Sequence, residues 1–245
     1  MRNYKMVLSY DGGRFKGWQK LGAGELTIQG TVEQAIQGLL GCPVEIHGSG
    51  RTDAGVHANG QVASMKVPFL LKDNFREELN HKLPEDICIL QIEKVAGSFH
   101  ARYSAVAKTY RYLVDTNEKP SVFMRKYVCH FPGELGVSRM KKAAEYLKGT
   151  HDFSSFTDDK SEEKDTTRTI YDIQIHCNKG RIEFVYRGDG FLQHMVRILT
   201  GTLLEIGSGN RCPDEIKSIL AAKERAKAGF MAPAKGLFLE SVDYD

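Results

Sequence analysis

Residues 181–207 read RIEFVYRGDGFLQHMVRILTGTLLEIG, and within them the chain changes its period. Residues 181–187 pair naturally with 169–177 as a hairpin of strands. Across 192–206, Leu192, Met195, Val196, Leu199, Leu203 and Ile206 recur at helical spacing and define an apolar face. Arg197 sits roughly 150° from the centre of that face, beside Gln193 and Gly201. The link between strand and helix is Tyr186-x-Gly188-x-x-Phe191, and near the start of the chain the same link recurs as Tyr10-x-Gly12-x-x-Phe15. Residues 3–10 alternate there, with Tyr4, Met6, Leu8 and Tyr10 on one face. A helix follows over 28–40, carried by Ile28, Val32, Ala35, Ile36, Leu39 and Leu40. The two helices align Gln29 with Gln193, Val32 with Val196, and Leu39-Leu40 with Leu203-Leu204; the first copy has an extra loop before its helix. Such a duplication predicts two similar halves packed side by side, with a cleft between them for a large substrate.

The other elements extend this pattern. A short strand is expected around Val44–His47, renewed alternation at Ala63, Met65 and Val67, a helix over 73–82 and a strand over 87–95. Residues 106–115 are a strong strand, with Lys108, Tyr110, Tyr112 and Val114 sharing a face. Ser138 caps a helix over 138–148 whose buried stripe is Met140, Ala143, Ala144 and Leu147, with Gly149 past its end. Pro213 opens a helix over 213–222, and 237–243 form a closing strand. Strands and helices mix without a strict βαβ rhythm, so the fold class is α+β, each half a mostly antiparallel sheet with helices on one face. The halves divide as 1–105, carrying the aspartate motif discussed below, and 106–245. TDDKSEEKDTTR, residues 157–168, reads as a solvated, mobile loop whose negative charge argues against close contact with phosphates.

Composition narrows the class of protein. In 245 residues, 41% hydrophobic content suffices for a real core, while no apolar run reaches the roughly 18 residues of a membrane span. The start, MRNYKMVLSYDGG, is too polar for a signal peptide. Cys42, Cys88, Cys129, Cys177 and Cys212 are scattered and lack a Cys-x-x-Cys pair, as befits reduced thiols in the cytoplasm. The eight histidines include no His-Glu-x-x-His, so no metal site is expected. A net charge of +3 is compatible with RNA without being diagnostic.

The chemistry concentrates in GSGRTDAGVHANG, residues 48–60. It offers one carboxylate, Asp53, two residues after Arg51, between glycines at 48, 50 and 55 that let backbone bend and approach a ligand. A dinucleotide loop would need a third glycine where Asp53 stands, and a P-loop would end in Gly-Lys-Ser/Thr. An aspartic protease would need a second such segment. An Asp beside an Arg suits a nucleophile or base in an electropositive site; a Gly-rich turn with its own Asp cap accounts for the same letters. Arg197, on its helix, is either a solvent-facing arginine or a cleft residue able to pair with Asp53. HARYSAVAKTYRY, residues 100–112, interleaves Arg102, Lys108 and Arg111 with Tyr103, Tyr110 and Tyr112, a mixture suited to phosphate contact and base stacking. The first loop does the same with Arg14, Lys16, Trp18 and Lys20, although the chain's one tryptophan could equally plug the core. Three functions fit: an RNA-modifying isomerase, a non-catalytic RNA binder, and an aspartyl hydrolase. A glycosidase would want a second carboxylate about 5–10 Å away, and a plain binder gives no reason for an Asp that weakens phosphate affinity.

Taken together, the chain resembles the TruA family of tRNA pseudouridine synthases. The likeness runs through YDGGRFKGWQ, TIQGTVEQAI, GRTDAGVHANGQVA, LPEDI, FHARYSAVAKTYRY, GTHDFSSF, GFLQHMVRILTG and APAKGLFLESVDY, in order and with fitting spacing. Two departures are Ser49, where a residue such as alanine is expected, and a lengthened loop at 20–26. The resemblance implies Asp53 as nucleophile and Arg51 as the residue that displaces the target nucleotide. It implies Tyr110 stacking on the flipped uracil and assisting deprotonation at C5, and Arg197 pairing with Asp53. RNA contacts would come from Tyr110, Arg14, Lys16, Lys108 and Arg111. It further implies a homodimer acting without cofactor or metal on uridines at the 3′ side of the tRNA anticodon stem-loop, positions 38–40. Attack at C1′, attack at C6 and a glycal route all remain compatible with these residues.

Overall fold

The computed structural model describes residues 1–22, 24–159 and 165–245. The elements run β1 (Arg2–Tyr10), α1 (Ile28–Leu40), β2 (Ile46–Gly48), β3 (His57–Val67), α2 (Phe75–Lys82), β4 (Ile87–Val95) and β5 (Ala105–Asp115). Then come β6 (Cys129–His130), α3 (Val137–Glu145), β7 (Gly149–Asp152), β8 (Thr167–Asn178), β9 (Arg181–Gly188), α4 (Met195–Gly207), α5 (Glu215–Ala222) and β10 (Leu237–Tyr244). The class is mixed, with extensive sheet and, among the described residues, five α-helices. Two compact units emerge: Met1–Val106 with Phe238–Asp245, and Ala107–Leu237.

In the first unit the strand order is β4-β1-β3-β10, with β2 added to β3. β1 is antiparallel to both β3 and β4, and β10 runs parallel to β3 through Phe238↔His57 and Leu239↔Ala58. The alternation expected in β1 is present: Tyr4, Met6, Leu8 and Tyr10 are buried. Ile28, Val32 and Ile36 of α1 and Leu79 of α2 are buried as well. Thr27 caps α1 by accepting from Gly30 N–H, and Gly41 closes it with a left-handed φ of 70°.

β3 begins at His57, earlier than its alternation suggests. Nearly every residue from His57 to Met65 is buried, so the strand is covered on both faces and carries no period of two.

In the second unit the order is β5-β9-β8-β7, with β6 on β5. β8 and β9 form the expected hairpin, and β5 pairs antiparallel with β9, Tyr110 opposite Tyr186. Tyr112, Phe184, Tyr186, Phe153 and Phe156 fill this core with Met140 of α3 and Leu199 of α4. Three boundaries differ from the sequence pattern. α3 starts after Gly136, without a side-chain cap from Ser138, and stops at Glu145. α5 starts two residues after Pro213, at Glu215. α4 starts at Met195, because His194 adopts the left-handed region with φ 62° and leaves Leu192 and Gln193 outside the helix. Of the acidic segment, residues 160–164 lie outside the described residues, whereas Thr157 and Asp158 are anchored, as set out below. Among the described residues no helix is long and apolar enough to cross a membrane.

Candidate active site

The aspartate motif is an ordered loop braced on two sides. Trp18 N–H donates to Thr52 O at 3.0 Å, and Tyr10 and Thr52 hydroxyls meet at 2.8 Å. Ser49 N–H donates to Val62 O at 2.7 Å, and its hydroxyl donates to Gln61 Oε1 at 2.7 Å. Gln61 returns its amide to Gly50 O at 3.1 Å. Asp53 O accepts from Val56 N–H at 3.1 Å, and Gly55 completes that turn with φ 79°. The first loop is tied in as well, since Gly12 N–H donates to His57 Nδ1 at 3.1 Å. Burial pushes the Tyr10 phenol up to about 12, so its hydroxyl stays neutral and serves the brace as a hydrogen-bonding group.

The glycines serve packing more than ligand approach. A Cβ on Gly48 would stand 2.5 Å from the Trp18 ring, and one on Gly12 would run into the Val56 carbonyl. Trp18 is therefore the core plug rather than an RNA-facing ring, and is only 2% exposed. Ser49, one of the two departures noted in the sequence, is fully buried and bonded to Val62 and Gln61. Arg51 is exposed and donates its Nε–H to Gln19 Oε1 at 3.0 Å, while Asp53 is half-buried. Arg14 is half-exposed and paired with Asp86 at 2.5 Å, and Lys16 is exposed. Lys20 reaches Glu33 of α1 at 2.9 Å, which holds the lengthened loop to the helix.

In the second unit Tyr110 is buried on β5, its ring edge-on to Phe191 at 5.2 Å. Lys108 and Arg111 of β5 are half-buried, the latter 3.6 Å from Glu183. Arg197 is half-buried, donating Nε–H to Ala232 O at 2.8 Å while its own carbonyl accepts from Ala232 N–H at 3.1 Å. The helical wheel places it away from the apolar face. That side is covered because Gly201 lets the Phe230 backbone lie directly on α4, and Gly229 N–H donates to Thr202 Oγ1 at 2.9 Å.

A second anchor sits at the start of α4. His194 Nδ1 and Asp158 Oδ2 are 2.7 Å apart, Arg225 Nε–H donates to Asp158 Oδ1 at 3.0 Å, and Thr157 Oγ1 donates to Gln193 O at 3.0 Å. Burial tends to raise the Asp158 carboxyl, but the His194 hydrogen bond and the Arg225 charge outweigh it and hold it below the usual range. The sequence pattern missed this trio and Gln61. A glutamine inside the buried run of β3 was the available sign for Gln61; Asp158, His194 and Arg225 are too far apart in the chain to show as a motif. Among the described residues no cluster of His, Cys, Asp and Glu is arranged to hold a metal ion.

The chain matches a family model described as tRNA pseudouridine synthase over residues 6–104 and 143–245. The tRNA pseudouridine synthase A of Bacillus sp. (strain KSM-64) is 47% identical over 246 residues, covering 100% of both chains. That of Bacillus pumilus (strain SAFR-032) is 47% identical over 98% of each chain, and that of Acetivibrio thermocellus 44% identical over 100% of each. A solved structure titled "Crystal Structure of a Cbf5-Nop10-Gar1 Complex" overlays with a TM-score of 0.36 at 12% identity, over 82% of this chain and 54% of that one, too loosely to bear on the fold. The family match spans the aspartate loop, Tyr10, Gln61 and the Arg197 helix alike. With full-length relatives beside it, this places the chain in the tRNA pseudouridine synthase family.

Proposed function

We propose that Asp53 is the nucleophile with which this chain converts uridine to pseudouridine in the anticodon stem-loop of tRNA, at positions 38–40. Pseudouridine formation in tRNA is the reaction of the family. The N1–C1′ bond breaks, the uracil turns, C5 joins C1′, the C5 proton leaves, and N1 takes up a proton. No atom is gained or lost overall, so the work falls to a group that holds the sugar while the base rotates. The observation that carries the assignment is the bracing of the Asp53 loop, with Thr52 held by Trp18 and Tyr10 on one side and Gly50 by Gln61 on the other. A carboxylate on a rigid turn meets the demand of a reaction that tolerates little misplacement.

Arg51, exposed next to that turn, displaces the target nucleotide from its stack. Tyr110 receives the flipped uracil and assists deprotonation at C5. Its ring stands edge-on to Phe191 at 5.2 Å, which supports this reading. Arg197 pairs with Asp53, and Arg14, Lys16, Lys108 and Arg111 contact the RNA. Flipping costs a few kcal/mol, offset by stacking and phosphate contacts. The enzyme acts in the cytoplasm as a homodimer.

Tritium release from tRNA labelled at uracil C5 tests the assignment. The wild type releases tritium; Asp53→Asn binds tRNA and releases none. Turnover by Asp53→Asn at the wild-type rate would remove the nucleophile from Asp53. Binding without any release by the wild type would leave an RNA-binding protein.

A further inference from the structure

Within the first unit three rings stand in a row. His47 of β2 stacks on His100 at 5.3 Å with 25° between planes, and His100 meets Tyr103 at 4.4 Å. The outermost ring, Tyr103, is 78% exposed, and the Arg102 guanidinium lies 5.8 Å from its centroid. The turn that presents it is fixed on every side. Arg102 and Tyr103 N–H donate to His100 Nδ1 at 3.1 and 3.4 Å, and Ser104 N–H donates to His100 O at 2.9 Å. Ala101 is clamped between Ser64 Oγ, which accepts its N–H at 3.1 Å, and Tyr244, whose hydroxyl donates to its carbonyl at 2.7 Å. Burial, reinforced by the charges of His47, Lys66 and Arg102, holds the His100 imidazole below its ordinary range, so the middle ring stays neutral at neutral pH. The charges of Lys66 and Arg102 both reach His100, and Glu45 lies 3.8 Å from His47.

We propose that His47, His100 and Tyr103, with Arg102 and Lys66, form a preorganised platform on which an unpaired base of the tRNA stacks while its phosphate meets the cations, a contact separate from the uridine site. It rests on the tRNA reading above. An exposed ring with an adjacent guanidinium is the chemistry that binds single-stranded nucleotides without reading sequence. The two cations beside the rings favour an anionic partner over an apolar one. The location agrees, since β2 carries His47 and leads within four residues to Arg51. Because the turn is already ordered, stacking incurs little conformational cost.

The test is tRNA affinity, measured by fluorescence anisotropy with an unmodified tRNA transcript at several salt concentrations, together with steady-state pseudouridine formation. Tyr103→Ala is expected to weaken binding about tenfold or more, raising KM by the same factor with kcat retained, and Tyr103→Phe to bind like the wild type. Arg102→Ala is expected to reduce the slope of log affinity against log salt by about 0.7–0.9, the signature of one lost phosphate contact. Tyr103→Ala within twofold of wild-type affinity at every salt would overturn the platform while leaving the Asp53 reading intact. A sedimentation shift from dimer to monomer in Tyr103→Ala would overturn it too, marking the face as a contact between copies. A wild type that neither binds nor modifies tRNA would overturn both readings.

Discussion

Gly48→Ala adds one methyl group and should cost both stability and activity. The new Cβ would lie 2.5 Å from Trp18 Cε2, 2.6 Å from Nε1 and 2.7 Å from Cζ2. Carbon contacts settle at about 3.5–4.0 Å, so ring and loop must part by about 1 Å. Neither yields easily. Trp18 N–H is bonded to Thr52 O at 3.0 Å and Trp18 O accepts from Gln29 N–H at 3.0 Å, while Ser49 N–H ties the loop to Val62 O at 2.7 Å. Overpacking of this kind costs about 1–3 kcal/mol, a fall in Tm of roughly 2–12 °C for a chain of this size. Thr52 moves with Trp18 and Asp53 is its neighbour, so kcat for pseudouridine formation should fall by about 10²-fold, the usual consequence of a 1 Å misplacement.

Trp18 is the chain's one tryptophan, so its emission reports the displacement directly. A red shift in Gly48→Ala is expected, with thermal unfolding followed by circular dichroism. The decisive control is Trp18→Leu, which removes all three crowded atoms. Alone it should cost about 2–4 kcal/mol as a cavity; combined with Gly48→Ala, the added methyl should cost little, giving a coupling of about 1–3 kcal/mol. If Gly48→Ala is as stable as the wild type, or if its penalty is the same in the Trp18→Leu background as in the wild-type one, the reasoning is wrong.

Two further outcomes can be measured. Arg197→Ala should lower kcat more than tRNA affinity, and Arg197→Lys should not restore it, because an ammonium cannot reproduce the guanidinium geometry that includes the 2.8 Å bond to Ala232 O; unchanged turnover would make Arg197 structural only. The Asp158 carboxyl is held below its ordinary range, so it contributes stability above the unfolded value of about 3.9 that is lost as pH falls through the folded one. Asp158→Asn should therefore flatten the acid limb of stability below about pH 4, and superimposable acid unfolding curves for the two proteins would refute the latch between Asp158, His194 and Arg225.

Much of the secondary structure was legible because local pattern and tertiary burial agree there. α1 and β4 occupy the ranges read from the sequence, and β1, β5, β8 and β9 fall within two residues of theirs. The failures have specific causes. β3 is buried on both faces, so its first half has no alternation to read. α4 starts late because one residue, His194, takes a backbone conformation that its side chain does not announce. Periodicity also left the surroundings of Arg197 undecided. A wheel ranks positions by side-chain apolarity, but Gly201 attracts a neighbour by having no side chain, and the Phe230 backbone occupies that space. The parallel pairing of β10 with β3 lies beyond any local pattern, since strand partners are chosen by the whole sheet.

The same lesson applies to the aspartate loop, where three glycines suggest pliancy and the hydrogen bonds impose the opposite. Gln61 is fully committed. Its carbonyl accepts from Ser49 Oγ and Val62 N–H, and its amide donates to Gly50 O and, at 3.4 Å, to the Tyr10 hydroxyl oxygen. A side-chain amide has two donors and one carbonyl with two lone pairs, so each capacity is filled. Further along, the Tyr10 hydroxyl oxygen accepts from Gln61 and lies 2.8 Å from Thr52 Oγ1, and burial keeps that phenol neutral. The chain of bonds ends one residue before Asp53. Glycine at 48 and 12 thus serves close approach of ring and carbonyl, which thickens the packing around the loop, and only Gly55 is spent on a backbone turn. A buried strand side chain, rather than the loop's own composition, sets the rigidity from which a nucleophile at Asp53 would work.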